Sequence, residues 1–319
     1  MLIPILMVLA GLGLLLGGGE LLVRGACTIA LRARIAPAVV GLTVVAAGTS
    51  MPELVVSMSA ALGGTPDLAM GNIVGSNIYN IALILGLTAI VQTLKIEGST
   101  IKLEWPILFL CACLLHLLGR DGVIDQLEGI FFVAGLVTFI AWTVYIARTN
   151  PSHEDEEIWD ELPQNSDETT GAAATFQVIA GGALLTLGAQ AMVSGGVTLA
   201  NLWGVSERII GLTILALGTS MPELVASMVA ASKGKADIAV ANVIGSNLFN
   251  TLGILGATAA ITPVPVNAQT LALDNPVMIG LTLLLFPLMR RKMILGRAEG
   301  ILLLLLLAGY SALLYLLPG

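Results

Sequence analysis

The stretch GTSMPELV occupies residues 48–55, and the same eight residues return at 218–225. Both copies lie inside long apolar segments, so each places a proline and a glutamate where hydrocarbon tolerates neither. Pro52 removes a backbone donor and crowds the carbonyl of residue 48, and Pro222 does the same to residue 218. Both crowded positions are glycine (Gly48 and Gly218), which leaves the backbone room to bend. Freed backbone groups at membrane depth are tolerated only against protein or a watered cavity. A carboxylate at a helix centre costs roughly 2.5–3.5 kcal/mol on insertion scales. Two of them facing lipid would cost an amount comparable with the stability of many whole domains. The blander alternative has both glutamates protonated and hydrogen-bonded to nearby Ser or Asn, and it requires duplication to have preserved the same burden twice.

The surroundings of these breaks define the class. The chain has 319 residues, 56% hydrophobic and 11% charged, with a mean hydropathy of +0.94. Apolar runs of about 20 residues, the length that crosses a bilayer, follow one another along it. An all-α integral membrane protein is predicted. Leu2–Val23 has no basic lead and reads as a spanning helix rather than a signal peptide. The net charge of −7 comes from eight acids between Asn150 and Gly171, and without them the balance is +1. Nothing in this pattern calls for nucleic acid. Cys27, Cys111 and Cys113 have no metal-ligand spacing and read as small packing residues.

The chain is also written twice. At a constant offset of 170 residues, Gly41–Ile90 overlays Gly211–Ala260 with more than half of the positions identical. Fainter matches extend outward: Gly11, Val23 and Gly25 with Gly181, Val193 and Gly195, then Pro106 with Pro276, and Glu128-Gly129 with Glu299-Gly300. The expected division is 1–149 for the first repeat, 150–171 for an acidic linker and 172–319 for the second repeat. Each repeat divides into five helices, roughly 2–23, 36–62, 68–91, 103–119 and 123–147, then 173–196, 207–231, 238–261, 271–289 and 298–317. An odd number of crossings makes the second copy enter from the opposite side, giving ten transmembrane helices as two inverted repeats. Basic residues agree. With both termini outside, twelve of the fourteen Lys and Arg fall on the cytoplasmic side, and Arg120 and Arg208 stay outside. That topology puts the acidic linker in the cytoplasm.

The breaks then acquire a purpose. Thr49, Ser50 and Glu53 stand at spacings of three and four, as do Thr219, Ser220 and Glu223, so their oxygens can share a face. The following helix of each half adds Asn72, Ser76 and Asn80, or Asn242, Ser246 and Asn250, each set four apart. Two such hairpins meeting face to face would line a midplane cavity with oxygen alone, which suits hard cations such as Ca²⁺ or Na⁺. Broken helices in inverted repeats around a midplane site point to an alternating-access transporter. Two cations competing for one pair of carboxylates make that transporter an antiporter.

The paired segments GTSMPEL with GNIVGSNIYNIALILG, and GTSMPEL with ANVIGSNLFNTLGILG, closely resemble the two alpha-repeats of the cation/calcium antiporter superfamily, nearest to its prokaryotic sodium/calcium exchangers. The resemblance covers essentially the whole chain. It implies Na⁺-driven Ca²⁺ transport, commonly three Na⁺ for one Ca²⁺, with helices 1 and 6 sliding against a fixed eight-helix core. By matching positions it implies a ligand set of Glu53, Glu223, Thr49, Thr219, Ser50 and Ser220, joined by Ser76 and Ser246 and by the backbone carbonyls of Ala46 and Ala216. The last motif positions are Asn80 and Asn250. Many sodium/calcium members carry an aspartate at one of them and this chain carries none, so H⁺ or K⁺ coupling stays open.

The remaining expectations are plainer. The chain is a multi-pass protein of the cell (inner) membrane, embedded in the lipid bilayer, functional as a monomer, with Ca²⁺ and Na⁺ as substrates and no resident cofactor. It is not an enzyme: a hydrolase using Ser50 or Ser220 would have no His or Lys base in a matching position. A passive channel would not need two proline-broken half-sites. Glu20 reads as an interface residue or a residue of the ion path. His116 and His153 have no catalytic partner. The linker, with its run DEEIWDELPQNS, lacks the pattern of an EF-hand loop and reads as a solvated tether.

Overall fold

The computed structural model describes residues 2–64, 66–149, 170–204 and 216–316. In chain order the helices are α1 (Leu2–Ala33), α2a (Pro37–Thr49), α2b (Met51–Leu62), α3 (Leu68–Val91), α4 (Thr100–Asp121), α5 (Gln126–Thr149), α6 (Gly171–Leu202), α7a (Ala216–Thr219), α7b (Met221–Ser232), α8 (Ala236–Ile261), α9 (Thr270–Arg290) and α10 (Arg297–Leu316). Among the described residues, eight of these are long and apolar enough to cross a membrane, and a ninth span forms if α2a and α2b are counted as one, bent by 45°. The acidic stretch with His153, Arg208, and the expected start of the seventh helix at 207–215 lie outside the described residues.

Two helices are longer than their hydropathy suggests. α1 and α6 each run for 32 residues, about 48 Å at 1.5 Å per residue. Beyond Arg24 the sequence GACTIALRA has no proline and is rich in good helix formers. The fall in hydropathy there does not end the helix. α1 and α6 pack against each other antiparallel along their length, Gly11 against Gly188, Gly18 against Gly181 and Gly25 against Ala174. A Cβ added at Gly11 would fall 2.7 Å from the Gly188 carbonyl oxygen, and one at Gly188 would fall 2.8 Å from that of Gly11. Only glycine allows these backbones to meet.

Four two-residue strands, absent from the sequence reading, tie the halves together at their ends. They are β1 (Leu94–Lys95), β2 (Val123–Ile124), β3 (Val264–Pro265) and β4 (Ile294–Leu295). β1 pairs antiparallel with β4, and β2 with β3. Strands β1 and β3 hold equivalent places in the two sequence copies, yet β1 precedes α4 while β3 pairs with the strand that follows it. Each ribbon therefore draws one strand from each half. Helix packing is exchanged in the same way, with α5 lying on α8 and α10 lying on α3. The core that results is a single apolar cluster fed by both copies, with Leu22, Met70, Ile78, Phe132, Ile244 and Leu285 among its fully covered side chains.

Candidate cation site

Each duplicated motif breaks its helix at the serine. Ser50 has φ −82° and ψ 9°, and Ser220 has φ −85° and ψ 3°. Both have left the helical region, while the amide of Ser50 still reaches the Ala46 oxygen at 3.0 Å and that of Leu54 reaches the Ser50 oxygen at 3.1 Å. Pro52 and Pro222 therefore sit in the first turn of α2b and α7b, where a missing N–H leaves no bond unmade. Glu53 and Glu223 occupy the same first turns, and the N-terminal end of a helix dipole favours a carboxylate there. The break thus provides both the kink and a favourable berth for the charge.

The two breaks face each other. Ser50 Oγ donates to Glu223 Oε1 at 3.0 Å. Thr49 Oγ1 lies 3.3 Å from Asn242 Oδ1 and 3.4 Å from Ser246 Oγ. Helix α2b packs against the segment carrying Asn250, and α7b packs against the segment carrying Asn80. Glu53 is 1% exposed and Glu223 is fully buried. Thr49, Ser50, Ser76, Asn80, Ser220, Ser246 and Asn250 are buried as well, and Thr219 is half-buried. The Ala46 carbonyl accepts from both Thr49 Oγ1, at 3.2 Å, and the Ser50 amide. Ala216 opens α7a.

A set of buried atoms around these breaks has no hydrogen-bond partner, and all of them are oxygens: both of Glu53, Oε2 of Glu223, Oγ of Ser220, and Oδ1 of Asn80 and of Asn250. Buried polar atoms are normally paired, and leaving a charged one unpaired costs several kcal/mol. A cluster of orphaned oxygens on elements in mutual contact, two of its members carboxylates, has the donor chemistry of a hard-cation site. No imidazole or thiolate takes part, and among the described residues no group of three or more His, Cys, Asp or Glu gathers anywhere.

Asn72 and Asn242, expected to present oxygens alongside Ser76 and Ser246, turn their amide nitrogens onto the broken helices, while Asn242 keeps its Oδ1 beside Thr49. Asn72 Nδ2 bonds Ser57 Oγ at 3.0 Å and the Glu53 carbonyl at 3.3 Å. Asn242 Nδ2 does the same to Ser227 Oγ at 2.9 Å and the Glu223 carbonyl at 3.5 Å. These residues brace the breaks. The sequence reading missed Asn77 and Asn247 altogether, although both lie in the duplicated G-S-N-x-x-N run. Asn80 Nδ2 donates to Asn247 Oδ1 at 2.9 Å, and Asn250 Nδ2 donates to Asn77 Oδ1 at 3.1 Å. Each of these bonds joins α3 to α8, so the two third helices are stitched by four amides.

The geometry defines an all-helical membrane protein with one buried, oxygen-lined site shared by its two halves. The family model described as "Sodium/calcium exchanger protein" matches residues 3–147 and 173–316, nearly the whole chain in two blocks. CaxA of Alkalimonas amylolytica is 41% identical over 320 residues, covering 99% of each chain. The sodium/calcium exchanger MaX1 of Methanosarcina acetivorans is 30% identical over 342 residues, covering 97% of this chain and 98% of that one. Among solved structures, the sodium-calcium exchanger NCX_Mj superposes with a TM-score of 0.83 at 28% identity, covering 98% of this chain and 99% of that one. The chain belongs to the sodium/calcium exchanger protein family. It is a multi-pass membrane cation/Ca²⁺ antiporter and not an enzyme.

Proposed function

We propose that the chain exchanges Na⁺ for Ca²⁺ by alternating access at the site built on Glu53 and Glu223. The observation that carries this reading is the pair of buried carboxylates, three of whose four oxygens have no partner within the protein. Thr49, Thr219, Ser50, Ser220, Ser76, Ser246, Asn80 and Asn250, with the carbonyls of Ala46 and Ala216, complete the ligand set. Na⁺ and Ca²⁺ displace each other from these oxygens, so the site must give up one before it takes the other.

The architecture proposed around it is ten helices in two inverted repeats, 1–149 and 172–319, joined by a cytoplasmic acidic linker at 150–171. The strand pairing supports the inversion, because equivalent strands β1 and β3 belong to opposite ends of α4. Both halves of the site come from one chain, so a monomer in the inner membrane, with both termini outside, suffices without a cofactor. α1 and α6, locked together at their glycine seam, would slide as a pair against the other eight helices. In the arrangement described, α1 covers α7b: its Gly19 lies beside Val225, and its Glu20 pairs with Lys233 as well as with Arg24. α2b has no such cover, since Val55 is 50% exposed where its counterpart Val225 is 7% exposed. α1 thus covers one of the two broken helices and leaves the other uncovered, while the carboxylates of both stay buried.

Uptake of ⁴⁵Ca²⁺ into proteoliposomes loaded in turn with Na⁺, K⁺ or acidic buffer tests the coupling. An outward Na⁺ gradient alone should drive uptake. Uptake driven by the K⁺ or H⁺ gradient instead would reassign the coupling ion, and uptake under no gradient would overturn the antiport.

A further inference from the structure

Away from the carboxylates, the molecule holds a polar cavity of about 300 Å³. Arg24 and Thr28 of α1, Gln177 of α6, and Lys233 and Lys235 from the turn between α7b and α8 line it. Its volume stands at the lower end of small-ligand pockets, roughly 300–1,000 Å³. What these side chains offer is almost entirely donors. Thr28 Oγ1 donates to the Arg24 carbonyl at 3.0 Å. Gln177 packs beside Gly25 with its Oε1 buried, which leaves its nitrogen end to the cavity. One carboxylate reaches the cations: Glu20 pairs with Arg24 through Nε and with Lys233. Among the described residues Lys235 makes no ion pair, and Asp237, two residues beyond it, is not part of the lining.

The fold does not need these charges. At the offset of 170 residues, Arg24, Gln177, Lys233 and Lys235 correspond to Ser194, Met7, Gly63 and Thr65, so the equivalent place in the other copy carries no cation. A cytoplasmic excess of Lys and Arg accounts for their sign, but not for three cations from two elements meeting at one cavity. In the topology proposed above, the cavity also lies at a telling depth. From Leu2 to Arg24, α1 rises about 33 Å at 1.5 Å per residue, against a hydrocarbon thickness of about 30 Å. The cations therefore stand at the level of the cytoplasmic headgroups, where basic pockets between helices hold lipid phosphates. We infer that this cavity binds the phosphate of an anionic phospholipid such as phosphatidylglycerol. The guanidinium of Arg24 has its two terminal nitrogens left over for phosphate oxygens. A choline headgroup would bring its own cation among three others, so an anionic headgroup is preferred. Glu20 competes with the phosphate for Arg24 and Lys233. The bound lipid joins α1 and α6 to the turn between α7b and α8, bridging the pair proposed to slide and the helices it slides against.

Native mass spectrometry of the delipidated full chain in detergent, titrated with dioleoylphosphatidylglycerol, tests the site. One lipid per chain should be retained about tenfold more tightly than dioleoylphosphatidylcholine. Lys235→Gln should weaken it about fivefold, and Arg24→Gln combined with Lys235→Gln about 25-fold, as expected from about 1 kcal/mol per cation. Glu20→Gln, which frees both of its partners, should tighten it. Lys102→Gln combined with Arg148→Gln removes two exposed cations away from the cavity and should change nothing. Weakening by that pair equal to the weakening by the cavity pair would show diffuse attraction and overturn the site. Inorganic phosphate at the same concentration should not displace the lipid; if it does, the cavity is a site for free phosphate and the lipid assignment falls. Equal retention of the two lipids, or weaker retention in Glu20→Gln protein, would overturn it as well.

Discussion

The two halves of the site share a motif of eight identical residues and yet stand in different surroundings. In the first half, Glu53 keeps both carboxylate oxygens free of protein partners, and α2b shows Val55 and Val56 at its surface. In the second, Glu223 gives one oxygen to Ser50, and the counterparts Val225 and Ala226 are buried under α1. The sequence difference behind this is small. Glu20 on α1 faces Lys233 at the end of α7b, whereas the equivalent positions on the other side are Gln190 and Gly63. A near-perfect duplication thus gives the site its symmetry, and the ion pair that accompanies the cover has no equivalent at Gln190 and Gly63.

The largest effect expected from this comparison is at the shared glycine seam. Gly188→Val should abolish the packing of α1 on α6, because its side chain would overlap the Gly11 carbonyl and the Leu15 backbone. Gly13→Val on the open side of α1, where nothing lies within 4 Å, should be tolerated. Size-exclusion profiles of the two variants in detergent would show loss of folded protein for the first only.

Next come the braces. Asn242→Ala leaves buried Ser227 and the Glu223 carbonyl without their donor, and should destabilise by about 1–3 kcal/mol. Asn72→Ala removes the equivalent bonds in a half-buried setting that water can re-satisfy, so its loss should be smaller. Thermal melts in detergent would rank them, and equal losses would deny the difference in cover between the two half-sites.

The smallest effect belongs to the clasp. Glu20→Gln removes a partly exposed ion pair, and such pairs contribute little to folding. Its expected signature is a change of a few-fold or less in the apparent Na⁺ affinity on the side that α1 covers, with the melting temperature unmoved. A substantial drop in melting temperature would make the pair structural instead.

The sequence disclosed much of this because the costly features were local. A proline and a glutamate inside an apolar run, twice, mark the breaks, although the distortion falls at Ser50 and Ser220 rather than at Gly48 and Gly218. The spacing of Ser76, Asn80, Ser246 and Asn250 placed them on the correct helices. What spacing could not disclose is which end of an amide faces the site. That is decided by partners on the other half, Asn247 for Asn80 and Asn77 for Asn250. The same limit explains Asn72 and Asn242, whose nitrogens are claimed by serines fifteen residues earlier in the chain. The extension of α1 to Ala33 was hidden for a different reason: hydropathy measures contact with lipid, and helical propensity continues past it.

Equilibrium binding of ⁴⁵Ca²⁺ to purified protein, with Na⁺ titrated in, addresses the shared site most directly. One Ca²⁺ per chain is expected, displaced completely by Na⁺ and lost in both Glu53→Gln and Glu223→Gln proteins that remain monodisperse. Ca²⁺ that stays bound as Na⁺ saturates, or that survives either substitution undiminished, would contradict a single site built from the two carboxylates.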